Sequence, residues 1–363
     1  MFQVEALEAK TVLDLSWGFP PMKKKEDYKR QPYNFISALM GHEGKGSLLS
    51  YLQSKQLAYS VETDSSMSNS CYESLKTEYS VSIKLNSIKD VPEVIAAVFY
   101  YLKMIGIPPK SCFDEFSLIA EEAFQCSVDE DSGDFAETVA NLMTLYAPED
   151  FIRGNQLFFD YDPELISKVL SELTPENLSI CLTAKFDDFS GDDVLTEPFF
   201  GTRYKINDVP SDWLTRFKSP VPEGCSMHLP PPNKYLDPKH PVFTPNWPVP
   251  TEPDIPQEVE CTGISGARLW RAFAHNYGLP LASVHLRVQL RDSLFTENKY
   301  AHETIALILS HLELKITEEK YDAALAKYAG SWTYTQRGLQ LSTSGFSTKY
   351  EVCKICITII ESC

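Results

Sequence analysis

An α+β fold is what this sequence predicts: a mostly antiparallel sheet with helices packed on one face, followed by a shorter second unit of the same type. Three observations carry that expectation. Apolar and polar residues alternate over Thr11 to Trp17, Tyr79 to Leu85 and Leu178 to Thr183. Between the last two, four stretches carry apolar residues at helical spacing, each behind its own start signal. After residue 263 the pattern of strand, helix and hairpin begins again. With 363 residues the chain exceeds one ordinary core, and the expected division is 1–215, a proline-rich linker at 216–262, and 263–363.

Each element has a local reason. Leu13, Leu15 and Trp17 share one strand face, and Pro20-Pro21 ends that strand. Lys23 to Arg30 is a solvated basic turn, and the apolar run Phe35 to Met40 reads as helix rather than strand. It leads into Gly41-His42-Glu43-Gly44-Lys45-Gly46-Ser47, where three glycines permit sharp turns and close backbone approach. Ser47 is placed to cap the amphipathic run from Leu48 to Leu57. Ser60 to Ser74 is polar and serine-rich, which predicts a loop. Val81, Ile83 and Leu85 then alternate with Ser80, Ser82 and Lys84 as a half-buried strand.

The helices that follow open at Asp90-x-x-Glu93, Ser111-x-x-Asp114 and Asp134-x-x-Glu137, all capping-box patterns, and at Asp162-Pro163. Their expected inward stripes run through Val94, Val98 and Leu102, then Phe113, Phe116 and Phe124, then Phe135, Val139 and Leu142, then Ile166, Val169 and Leu173. The acidic runs Glu121-Glu122 and Asp129-Glu130-Asp131 read as solvated faces rather than catalytic carboxylates. Ser219 to Pro256 is dense in proline, which removes backbone donors and predicts an extended connector outside either core. A proline-rich ligand for a signalling module is the alternative there. Beyond it, Val284, Leu286, Val288 and Leu290 alternate as a strand, Ile305, Leu307, Ile308 and Leu312 mark a helix, and Arg337-Gly338 turns a hairpin. A closing strand is expected to be missing from this second unit.

Composition narrows the function classes. A formal charge of −17 argues against nucleic acid or an anionic membrane as partner and admits a basic peptide. No apolar run is long enough to span a bilayer, and the first residues lack the pattern of a secretory signal. Nine cysteines, mostly isolated, fit reduced thiols and a cytoplasmic setting. Cys353-x-x-Cys356 lacks a second pair, and its isoleucine neighbours favour core packing over metal or redox chemistry.

The glycine corner admits an anion or a peptide terminus, or it is a tight interhelical turn with no ligand. It is no phosphate loop, because Lys45 is followed by Gly46 and no strand precedes it. It is no zinc helix, because position 46, four residues after His42, is glycine. As written, Gly41-His42-Glu43-Gly44-Lys45-Gly46-Ser47-Leu48-Leu49-Ser50-Tyr51-Leu52 resembles the G-H-E-G-x-G-S-L-L-S-x-L signature in the second domain of pitrilysin-type zinc peptidases. These are the insulin-degrading-enzyme and nardilysin type, with Lys45 and Tyr51 nearer the nardilysin branch. Further matches follow in order. Phe200-Gly201-Thr202-Arg203-Tyr204 resembles W-(Y/F)-G-T-x-Y, and Leu229 to Leu236 is similar to the linker joining the second and third domains. Leu269-Trp270 and Leu279-Pro280 match the spacing that opens the third.

The resemblance implies a pitrilysin-like fold, with a second domain and part of a third. It implies a zinc endopeptidase in which H-x-x-E-H and a distant glutamate hold the metal. Here the seven histidines (42, 228, 240, 275, 285, 302 and 311) include no pair four apart, so no catalytic residue and no metal ligand is assigned to this chain. The expected cofactor is therefore none in these residues, with zinc in the whole family enzyme. The expected partners are peptide substrates, basic ones included, and the catalytic and C-terminal domains of the same protein. A fragment of such an enzyme, or a stand-alone inactive homologue that binds peptides or a partner protein, are the two readings. The family's second domain also implies an exosite for the free N-terminus of a substrate, placed here at Gly41, Glu43, Val61 and Thr63. Its strand edge would run Val61-Glu62-Thr63-Asp64. The family usually has a glycine pair at Thr63 and Asp64, and histidines at Asn34 and Ala38. The added side chains narrow the backbone approach, and Asp64 adds attraction for a basic peptide.

Overall fold

In the computed structural model the alternating segments become neighbouring strands. Described are residues 1–21, 28–65, 77–127, 131–236, 255–260, 267–272, 281–289, 299–335 and 338–346. The chain forms two compact units, the first built from 1–120, 131–234 and 316–322.

The first unit opens with strands β1 (Phe2–Glu5) and β2 (Thr11–Phe19), then helices α1 (Pro32–Met40) and α2 (Leu48–Ser54). Strands β3 (Ala58–Ser65) and β4 (Thr77–Leu85) follow. Next come helices α3 (Val91–Ile105), α4 (Lys110–Gln125), α5 (Ser132–Met143) and α6 (Pro163–Glu172). Strands β5 (Leu178–Ala184), β6 (Leu195–Thr196) and β7 (Arg203–Ile206) and helix α7 (Ser211–Phe217) complete it. The seven strands lie in the order β3-β4-β2-β5-β1-β7-β6. Every pairing is antiparallel except β1 with β5, where Phe2 aligns with Cys181 and Glu5 with Ala184.

One sheet face is closed by helices because one residue in two along the strands is apolar. Leu13, Leu15 and Trp17, with Tyr79, Val81 and Ile83 and with Ile180 and Leu182, are buried in one continuous core. Helix α3 lies at its centre. Its run Val94-Ile95-Ala96-Ala97-Val98-Phe99 is buried all round, as an apolar helix must be to hold its place. Phe99 meets Trp17 edge-on at 6.2 Å, and the Trp17 indole N–H donates to the Thr174 carbonyl at 3.0 Å. Each fully buried side chain of this kind contributes roughly 1.5–3 kcal/mol, so the core rather than helix propensity holds the sheet.

Several local expectations need correction. Residues 60–65 are strand, not loop; the remainder of that stretch lies outside the described residues. Asp90 makes no side-chain cap, and Ser87 instead accepts from the Lys89 N–H to start a 3-10 turn ahead of α3. Helix α4 already begins at Lys110, so Ser111 sits inside it. Asp131, not Asp134, caps α5, and Phe135 on that helix is exposed. Glu122 is buried, against the expectation of a solvated face. Asp162 does cap α6 as read, accepting from the Leu165 N–H at 2.9 Å. The proline-rich stretch is not wholly outside the core either. Met227 is buried there, with Cys225 and Leu229 packed beside it.

The second unit holds strands β8 (Gln257–Val259), β9 (Leu269–Arg271) and β10 (Leu281–Gln289) and most of the 25-residue helix α8 (Ala301–Leu325). Strands β11 (Ala329–Thr335) and β12 (Gly338–Phe346) form the expected hairpin. The order β10-β12-β11 makes a three-stranded antiparallel sheet, and β8 pairs with β9. A small core joins Tyr235, Ala326, Tyr328 and Phe346. Val284, Leu286 and Val288 on β10 are exposed rather than buried. Leu279-Pro280 and Cys353-x-x-Cys356 lie outside the described residues. Among the described residues no single helix is long and apolar enough to cross a membrane.

Candidate functional site

Helix α1 begins at Pro32, whose missing N–H costs nothing in a first turn, and stops at Gly41. The chain turns there and re-enters helix at Leu48, where the Ser47 hydroxyl accepts from the Ser50 N–H at 3.1 Å. The three glycines of the turn face three different neighbours. A Cβ on Gly41 would stand 2.9 Å from the Thr63 hydroxyl and 3.2 Å from the Ser37 carbonyl. One on Gly44 would stand 2.5 Å from Cε1 of His42. One on Gly46, where φ is +81°, would overlap the ring of His228; the backbone N–H of His228 donates to the Gly46 carbonyl at 2.9 Å. All three positions thus meet the chain itself, and of the three only Gly41 lines the adjoining cleft.

Residues 316–322, from α8, complete the corner within the first unit. The Tyr321 hydroxyl points to the Gly41 carbonyl, donating to it at 3.5 Å. Its ring meets His42 edge-on at 4.8 Å. Ser50 donates to the Glu318 carboxylate at 2.6 Å. The Gly44 N–H donates to Nδ1 of His42 at 3.0 Å, so the imidazole proton sits on Nε2, which faces Asp322 at 3.8 Å. Burial holds His42 down at about 4 and pushes the Asp322 carboxyl up, so the pair is two desolvated groups rather than a strong ion pair. Burial, and then the nearby Glu43 charge, push the Tyr321 phenol up to about 12, so it stays neutral.

Beside this corner is a cleft of about 330 Å³ against β3, the terminal strand of the sheet. Asn34, Ser37, Ala38 and Gly41 of the α1 side form one wall; Thr63, Asp64 and Tyr321 form the rest. Thr63 points toward α1, donating to the Ser37 carbonyl at 3.0 Å, which narrows the cleft at Gly41. Among the described residues the lining offers amide and hydroxyl oxygens, one carboxylate and no cationic side chain. Such a set takes a hydrogen-bond donor with positive charge.

Of the expected site residues, Gly41 and Thr63 meet across this cleft. Val61 is 4 % exposed, with its side chain in the core, so its backbone alone is at the edge. Glu43 is half-buried behind Tyr321 and is not among the lining residues. Tyr321 was beyond sequence reasoning, because 280 residues separate it from Gly41 and no local pattern marks it.

The described residues do not fit a zinc ion. Among the described residues no three of His, Cys, Asp and Glu converge as a ligand set, and the sequence lacks the histidine pair.

Comparison with known proteins gives concordant results. Residues 124–358 match the middle or third domain of peptidase M16, and residues 3–110 match the peptidase M16 inactive domain. Rat (Rattus norvegicus) nardilysin is 28% identical over 353 residues, covering 96% of this chain and 30% of its own length. Human (Homo sapiens) insulin-degrading enzyme is 25% identical over 331 residues, covering 90% of this chain and 31% of its own. The crystal structure of pitrilysin superposes with a TM-score of 0.75 at 18% identity, covering 99% of this chain and 37% of that one, a likeness of fold. The chain spans about a third of the length of the curated relatives it matches.

Proposed function

The chain belongs to the peptidase M16 family, and from that premise we propose that it holds peptides for a zinc endopeptidase of the nardilysin and insulin-degrading-enzyme type. In this reading the zinc site lies in other residues of the same protein, and the residues here supply peptide-binding and chamber-forming domains. A cytoplasmic setting accords with the half-buried free thiols of Cys112, Cys126, Cys181 and Cys225.

The observation that carries the proposal is the carboxylate-bearing cleft lying directly against an edge strand. An extended peptide adds to the outer edge of β3 through main-chain hydrogen bonds and delivers its terminal ammonium to the cleft. Asp64 on the lining and Glu43 behind it attract that charge and favour basic peptides. Thr63 limits how closely the backbone approaches Gly41, so binding is weak.

Calorimetric titration of a short lysine-rich peptide into the purified chain tests this. N-acetylation removes the terminal charge and should weaken binding roughly ten- to a hundred-fold, the worth of a hydrogen bond to a charged group. Glu43→Gln should lower that ratio, and Gly41→Val should abolish binding of both peptides. A wild type that binds free and acetylated peptide equally would leave the cleft without the proposed role.

A further inference from the structure

The hairpin sheet of the second unit carries a cleft of its own, of about 570 Å³, and the strand register explains why it is there. Side chains alternate between the faces of a strand, so Arg287 and Gln289 of β10 share one face. Gln340 of β12 stands directly opposite Arg287, and Gly338 stands directly opposite both Gln289 and Thr335 of β11. The row Gln289-Gly338-Thr335 therefore has no side chain in its middle. The cleft is the gap this leaves, with Arg287 and Gln340 as the next row along. Gly338 has φ +147°, which other residues rarely adopt, so the gap is built into the backbone of the hairpin.

Arg287 is held and yet open. Its Nε–H donates to Oε1 of Gln340 at 2.9 Å, and Nε2 of Gln340 donates to the Ser342 hydroxyl at 3.2 Å. That glutamine cannot turn over, because its amide hydrogens would then meet the Arg287 N–H. Among the described residues no carboxylate pairs with Arg287, and the Nη1/Nη2 edge of its guanidinium has no partner. The Thr335 hydroxyl donates to the Gly338 carbonyl at 3.1 Å, which uses its one proton. The described lining thus offers a ligand the Arg287 fork and the Gln289 amide as donors, and no carboxylate. Such a set seeks an anionic acceptor, inside a chain whose net charge is −17.

We propose that this cleft binds a carboxylate, whose two oxygens take the Nη1/Nη2 edge of Arg287 side by side. Guanidinium and carboxylate are both planar, and two parallel N–H···O bonds select that pairing over a simple point charge. Gln340 is the positioning residue, since by engaging Nε it leaves the outer edge of the fork for the ligand. A space of this size takes more than the carboxylate group itself, and admits a small organic acid or the C-terminus of a peptide. The inference stands independently of the cleft on β3.

Calorimetry at low salt on the full chain tests it with two pairs of probes. One is an N-acetylated alanine tripeptide with a free C-terminus against its C-terminal amide; the other is succinate against succinamide. Acetylation keeps any ammonium group out of the comparison. In at least one pair the acid should bind roughly ten- to a hundred-fold more tightly than its amide, the worth of a hydrogen bond to a charged group. Arg287→Gln should bring that ratio close to one, and Arg287→Lys, with charge but no fork, should retain only part of it. Gln340→Leu should lower the ratio several-fold while leaving amide binding unchanged. Thermal melts check folding, and should Arg287→Gln fail to fold, Arg287→Lys decides. A preference confined to succinate assigns the site to a small acid and one confined to the peptide assigns it to a chain terminus; both support the inference. A wild type that binds acid and amide alike in both pairs, or binds neither acid, overturns it. A folded Arg287→Gln or Arg287→Lys with the wild-type ratio overturns it as well.

Discussion

Gly46 and Gly41 differ in what a side chain would do to them, and single substitutions separate the two cases. At Gly46 the backbone is left-handed and the space is taken by His228, so Gly46→Ala incurs both costs. Shortening the neighbour with His228→Ala removes the overlap and leaves the conformational part, about 1–2 kcal/mol. Chemical denaturation of the single and double variants should show that partial rescue; full rescue would mean the backbone strain is small. At Gly41 the obstacle is the Thr63 hydroxyl at 2.9 Å. Gly41→Ala should therefore weaken peptide binding, and adding Thr63→Gly should recover much of it.

His42 gives the corner a pH dependence of definite sign. Its folded value, about 4, lies below the ordinary 6.5, so only the unfolded chain gains a proton between them. The contribution is complete above about pH 6.5 and is lost as pH falls toward 4, by roughly 3 kcal/mol if the shift is carried in full. Asp322 acts in the opposite sense. Its raised carboxyl pKa is an unfavourable term at neutral pH that protonation relieves as pH falls. The wild type should therefore lose stability on acidification less steeply than Asp322→Asn. Urea midpoints measured from pH 7 to pH 4 would reveal a parallel pair of curves if the two groups are uncoupled from the fold.

Elements with a two-sided pattern were readable from the sequence; a strand with only two buried apolar side chains was not. Strands β2, β4 and β5 each place three or four apolar residues on one face, and their alternation located them within two residues. Strand β3 buries only Ala58 and Val61 and turns Tyr59, Glu62 and Asp64 to solvent, so its composition resembles a loop. It is strand because β4 offers a ladder from Ala58 opposite Leu85 to Ser65 opposite Tyr79, irregular only between Ala58 and Ser60. Capping patterns failed for a related reason. The motif gives residue types at the right interval, yet the helix starts where the chain first leaves extended conformation. Asp131→Ala, which removes the side chain bonded to the Gly133 N–H at 2.8 Å, should therefore destabilise α5 by about 1 kcal/mol. Asp134→Ala, inside the first turn, should cost a few tenths. Helicity measured by hydrogen exchange in 132–143 would decide between them.

For the molecule as a whole, the family was legible because a twelve-residue signature survives intact, and the cleft was only half legible. Its α1 wall and its β3 edge are neighbours in sequence, while Tyr321 enters from 280 residues away. Asn34 was visible only as a departure from the family pattern, since its partner Gln31 is set by carbonyls at Gly154 and Leu157. The proposed division of labour has a direct outcome at this scale. The purified chain should leave a quenched basic peptide intact, whether zinc is added or chelated, and chelator-sensitive cleavage by pure protein would contradict it.

The single parallel pairing in the sheet also sets an order of events during synthesis. Strand β1 lies between β5 and β7, so nothing on the β7 side of the sheet is seated until β1 is. Its partner β5 is made about 180 residues later, which at ribosomal speed is roughly 10–40 s. Through that interval β2 and β4 already have their antiparallel match, while Phe2–Glu5 waits without one. Strand β1, translated before the other strands of this sheet, is thus among the last of them to be seated, and the long loop it closes makes that step slow. Proteolysis of stalled nascent chains should find Phe2–Glu5 open to cleavage until Ala184 has cleared the exit tunnel, and protected after it.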